Sequence, residues 1–212
     1  MLTNSVSPTP HRPPIFSLIR RSFFTFTPSR PAVCLALFLF LVLAAPAALF
    51  AQTATAPAAG DGSTANPYQI ATLDNLYWLS QNSAAWTLNF LQTADIDASA
   101  TAGWDGGAGW TPIGNTTTPF AGAYDGGGYA ISGLTIARPG EDNIGFFGVV
   151  ENGRVENLAV TGASVQGQAF AGPVAGRNNN GGVLHLCRAS GTVSAANGSA
   201  GGLMGWNGGT VT

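Results

Sequence analysis

A repeat near the end of the chain constrains the fold more than any other feature. Val155-Glu-Asn-Leu158 leads on to Phe170-Ala-Gly-Pro-Val-Ala-Gly176-Arg-Asn178. Val183-Leu-His-Leu186 then leads on to Ser199-Ala-Gly-Gly-Leu-Met-Gly205-Trp-Asn207. Val155 and Leu158 recur as Val183 and Leu186, 28 residues later. Gly172, Gly176 and Asn178 recur as Gly201, Gly205 and Asn207, 29 residues later. A fixed period of this size marks a solenoid or array. One such unit is too short to bury its own apolar face, so it must stack on a neighbour.

Each period holds three short apolar runs, Val155 to Val160, Ala163 to Gln166 and Phe170 to Ala175, parted by Gly, Asn or Ser. None has helical apolar spacing, and each is of strand length. Three strands and three turns per period make one coil of a parallel β-helix, with strands of adjacent coils about 4.8 Å apart. The expected fold is therefore all-β, a right-handed parallel β-helix, the hand following the preference of parallel crossovers. Leu158, Val160 and Val174 are expected inside, continued by Leu186 and Leu203 in the next coil. Gly176 and Gly205 are expected at turns with positive φ. Asn178 and Asn207 are expected to stack, with their amides bonding between coils.

These residues also carry a resemblance. Gly201-Gly202-Leu203-Met-Gly205-Trp-Asn207-Gly-Gly-Thr-Val211 resembles the GLUG motif, a Gly-Gly-Leu-Val-Gly-x-Asn-x-Gly-x-Ile type of repeat. Ala171 to Asn178 is similar, with Pro173 in place of a glycine, and Ile144-Gly-Phe-Phe-Gly148 is a shortened copy. The motif occurs in large secreted or surface bacterial β-helix proteins. These include filamentous-haemagglutinin-like adhesins and the non-catalytic regions of IgA-cleaving metallopeptidases. The resemblance covers roughly residues 60–212. It implies a secreted or cell-surface location and an adhesin-like role, with a host or neighbouring-cell protein or glycan as partner.

The start of the chain agrees with export. Residues 1–31 are polar and basic; an apolar run from Ala32 to Ala45 follows, then Pro46 to Ala51 and Gln52. That order is the order of a secretory signal, with cleavage expected between Ala51 and Gln52. The alternative is an uncleaved anchor, since about 20 apolar residues can span a bilayer. Contact with a membrane is expected only through export or that anchor. Cys34 lies inside the apolar run, which leaves Cys187 alone after it, without a disulfide partner.

Residues 52–66 read as a flexible leader and 67–119 as an N-terminal cap region. Residues 120–212 read as the β-helix with GLUG-type repeats. In the cap, Thr72 can cap a helix carrying Leu73, Leu76, Tyr77 and Ser80 and ending near Gln81. The regular stack is expected to start at Ile131, Leu134 and Ile136. At Thr212 a further coil is due, so a truncated gene product, a fragment or the first part of a longer surface protein is expected.

Chemistry-bearing groups are few. His185 is the one histidine after residue 52, and no His-Glu-x-x-His zinc pair occurs,. Four arginines and ten acidic residues give residues 52–212 a formal charge of −6, which argues against nucleic acid as partner,. Asp95, Asp97 and Asp105 are the candidates for a calcium ion, which takes six to eight oxygens; no other cofactor is expected. Trp104, Trp110 and Trp206 are the candidate ligand anchors wherever they stay unburied, and Trp104 and Trp110 are expected to pack the cap. No catalytic residues are identified. The expected function is non-catalytic, with a polysaccharide lyase or glycosidase on the same fold as the alternative.

Overall fold

A computed structural model describes residues 52–212. The expected export segment and its expected cleavage after Ala51 lie outside the described residues. The chain opens with β1 (Tyr68–Ile70), helix α1 (Leu73–Gln81), β2 (Asn89–Gln92) and β3 (Ile96–Asp97). A 3-10 segment, Ser99–Gly107, follows. The next circuit is β4 (Ala123–Asp125), β5 (Ala130–Ser132), β6 (Thr135–Ala137) and β7 (Phe147–Val150). Then come β8 (Arg154–Glu156), β9 (Ala159–Gly167) and β10 (Ala175–Asn178). A last circuit holds β11 (Val183–His185), β12 (Arg188–Ala195) and β13 (Met204–Asn207), after which β14 (Thr210–Val211) returns to the first face.

The strands sort into three sheets, ordered β1-β2-β4-β8-β11-β14, β3-β5-β9-β12 with β6 also on β9, and β7-β10-β13. Every pairing between named strands is parallel. This is a parallel β-helix, and three successive circuits carry a strand on all three faces. The ladder begins at β1, so the stack already runs through the segment assigned above to the cap.

Strand alternation sends every second side chain inward, and in-register stacking turns these into columns. Phe90, Tyr124, Val155 and Leu184 form one column. Ile96, Ile131, Val160 and Ala189 form another. Phe147, Ala175 and Met204 form a third. Each large apolar side chain fully withdrawn from water contributes about 1.5–3 kcal/mol. Helix α1 plugs the first circuit. Thr72 Oγ1 accepts from Asn75 N–H at 3.2 Å, and Leu76 and Leu79 are buried. Trp104 and Trp110 are packed inside, continuing an aromatic stack from Tyr77 to Phe146 with ring centroids 5.0–6.2 Å apart.

Two expectations are corrected by the register. Val155 lies against Leu184, not Val183, so the repeat on this face is 29 residues, as it is for the glycines. Leu186 therefore falls at the position of Asn157, and Cys187 at that of Leu158. Asn157 and Leu186 both sit in the left-handed region, at φ 52° and 50°. Their N–H groups donate to the next pass of the chain, at His185 O and Thr212 O. Leu186 is 62% exposed rather than interior. Leu158, Val160 and Val174 are fully buried, and Leu203 packs on the core from its margin.

The repeat glycines serve close approach instead of a turn. Neither Gly176 nor Gly205 has positive φ. A Cβ on Gly176 would enter the backbone of Asn143–Ile144, and one on Gly205 that of Phe170–Ala171. Only glycine leaves room for a neighbouring backbone at that distance.

Candidate functional site

The third face carries the motif residues. Asn178 is fully buried and donates from Nδ2 to Asn207 Oδ1 at 2.8 Å, in register across β10 and β13. Gly172, Gly201 and Gly205 all meet backbone where a side chain would begin, whereas Gly202 faces open space. These positions hold coils together and offer no reactive group.

The three calcium candidates are not brought together. Asp95 Oδ1 accepts from Ala130 N–H at 2.8 Å, and Asp97 Oδ1 from Ser99 N–H at 2.8 Å. Asp105 pairs with Arg138 at 2.7 Å. The Ser99 N–H holds the Asp97 carboxyl below the usual carboxylate range,. Among the described residues no three acidic, His or Cys side chains converge on a point. His185 Nδ1 lies 2.7 Å from Thr212 Oγ1 at the surface. Cys187 is partly buried against the core, and burial pushes its thiol up. Tyr124 is likewise pushed up by burial, and its Oη donates to Gln92 Oε1 at 3.0 Å.

The three tryptophans separate. Trp104 and Trp110 are core residues, and Trp110 Nε1 donates to Phe146 O at 3.1 Å, so neither can meet a ligand. Trp206 is 36% exposed. It projects from β13, directly over Arg177 of β10 and Val149 of β7. The Arg177 guanidinium carbon stands 4.4 Å from the Trp206 ring centroid and 5.7 Å from that of Phe170. Arg177 Nε is buried without a hydrogen-bond partner. Arg138 pairs with Asp105 and Glu141, and Arg154 with Glu156. Among the described residues Arg177 has no carboxylate. Neither Arg177 nor Phe170 was singled out from sequence. The signal was present in the repeat: Arg177 precedes Asn178 as Trp206 precedes Asn207, which stacks the two in one column, while the side to which that column points is decided by the fold.

A separate cleft of about 460 Å³ opens between the first circuits, lined by Trp86, Thr111, Asn115, Glu141, Asp142 and Asn143 among others. Some of its polar groups are committed, and Asn143 Oδ1 is buried without a partner. Asn115 Oδ1 accepts from Thr117 and Thr118 N–H, and Glu141 pairs with Arg138. The Arg177–Trp206–Phe170 patch is the better-formed candidate site.

No family model matches the chain. Halomucin of Haloquadratum walsbyi is 41% identical over 157 residues, covering 71% of this chain and 2% of the relative. A protein of Evansella cellulosilytica described as a Gly-rich membrane protein is 41% identical over 128 residues, covering 57% of this chain and 14% of the relative. The chain thus spans a small part of the length of both relatives. A solved structure described as an immunoglobulin A1 protease from Bacteroides ovatus aligns over 72% of this chain and 66% of its own length. The identity is 21% and the TM-score 0.40.

Proposed function

We propose that this chain forms part of a secreted or cell-surface protein, a non-catalytic β-helical stalk that presents ligand-binding side chains on its flanks. The observation that carries this reading is the 41% identity to halomucin across 71% of the chain. A mucin-like name and a membrane-protein name among the relatives both support a surface location. The GLUG-like residues support membership of the adhesin-bearing group. The stacked, glycine-dense coils supply an extended flank without requiring a cofactor. The partner is a glycan or protein of a host or neighbouring cell.

Protease shaving of intact producing cells tests the location. Loss of the protein from unlysed cells is expected, and full protection until lysis overturns the reading. No reducing or unsaturated sugar is expected from a polysaccharide panel; release of either reinstates the lyase or glycosidase alternative.

A further inference from the structure

We propose that Arg177, held between Phe170 and Trp206, is a carboxylate-binding site for an acidic sugar, a uronate residue of a glycan. The proposal deepens the surface-ligand reading above and rests on it. It begins with an imbalance. The described residues carry many more acids than arginines, yet Arg177 pairs with none of them. Its Nε is withdrawn from water without an acceptor. Nε is closed to a ligand as it is to water, so the uncompensated charge is open to an incoming anion at the outer Nη groups, which have no partner among the described residues and are not closed off,.

The two rings fix how the anion arrives. Cation–π contact occupies the faces of a guanidinium and leaves its N–H edge available. That edge is a planar fork, which matches the two oxygens of one carboxylate. The repeat holds the fork in place: β10 is paired on both sides, to β7 and to β13, so Arg177 stands on a rigid strand. The partly exposed indole of Trp206 and the partly exposed Phe170 flank the fork with apolar surface. A pyranose carrying a carboxylate offers both complements, an anion for the fork and C–H groups for the ring edges. The overall negative charge disfavours a densely charged polyanion and leaves one carboxylate at one fork as the fitting unit,.

The test titrates the purified full-length protein with tri-galacturonate, its fully methyl-esterified form and hexaglutamate, followed by calorimetry. Tri-galacturonate is expected to bind, with the ester and the peptide each at least about tenfold weaker. Arg177→Lys, which keeps the charge and loses the fork, is expected to weaken binding by about tenfold with an unchanged circular dichroism spectrum. Trp206→Leu gives a second, independent loss. Equal binding of the ester, preference for the peptide, unaltered binding by Arg177→Lys, or no binding of tri-galacturonate overturns the proposal. The shaving experiment is separate, so a protein found on the surface that ignores uronate loses only the carboxylate assignment.

Discussion

The first and last described circuits of this solenoid share one architecture and differ in how far their inward columns are covered. At the first, residues before β1 strap the sheet: Gln69 N–H donates to Ala59 O and Thr55 N–H to Asp74 O. Helix α1 seals the interior, with Leu76 and Leu79 fully buried and Trp78 against Tyr68 at 5.7 Å. At the last, the same inward columns reach partial exposure. Phe90, Tyr124, Val155 and Leu184 are buried, and Val211, next in the column, is 45% exposed. Met204 and Val193 likewise sit at the margin of the core. The lesson is that a coil is only as buried as the layer above and below it. The proposed Arg177 patch lies in the last two described circuits, where Trp206 is 36% exposed. Among the described residues no helix is long and apolar enough to cross a membrane.

The two circuits differ most at their tryptophans. Trp110→Ala empties a fully buried site and is expected to cost about 3–5 kcal/mol in urea unfolding. Trp206→Ala, in the last described circuit, is expected to cost about 0.5–1 kcal/mol, the worth of an exposed cation–π contact,. Similar midpoints for the two variants would mean that the two ends are equally packed.

Glycines sharpen the contrast within the repeat. Gly176→Ala forces a methyl into the Asn143–Ile144 backbone and is expected to destabilise by about 1–3 kcal/mol,. Gly202→Ala meets open space and should stay within about 0.5 kcal/mol,. The amide ladder behaves in the same way. Asn178→Ala removes a buried donor and is expected to cost about 1–3 kcal/mol. Asn207→Ala, at the exposed end of the ladder, should cost less than about 1 kcal/mol by the same denaturation.

Leu186→Asn runs in the opposite direction. A leucine at φ 50° is strained where asparagine is tolerated, and Asn157 shows the fit one coil earlier,. A gain of about 1 kcal/mol is expected, read as a raised urea midpoint. The smallest effect concerns Cys187, whose thiol is raised by burial. Its contribution to stability is complete below the ordinary thiol range and is lost as pH rises through the folded value. Iodoacetamide labelling of Cys187, followed by peptide mapping, is therefore expected to be slower in the native than in the denatured protein. Equal rates would place the thiol in solvent.

How far the sequence reaches can be read at particular residues. Thr72 and the Leu76 spacing specify α1 because capping and helical periodicity are local. Leu158, Val160 and Val174 are readable as interior because alternation is local too. The candidate site was only partly readable. Trp206 was among the anchors named from sequence, but so were Trp104 and Trp110, and nothing within a few residues of any of the three tells them apart. Arg177 gains meaning only from two rings, Phe170 of the bend before β10 and Trp206 of β13, the second a coil away in sequence.

Period and alternation along the chain were enough for the existence of the repeat, three strands per coil and the interior place of Leu158, Val160 and Val174. The tertiary structure decided three things. The register is 29 residues on the first face as on the third, which exchanges Leu186 for Cys187 at the wall. Gly176 and Gly205 answer to a neighbouring backbone and not to their own φ. Arg177 is left without a carboxylate. Each depends on contacts between residues about a coil apart in sequence and about 4.8 Å apart in space, a separation that no local pattern encodes.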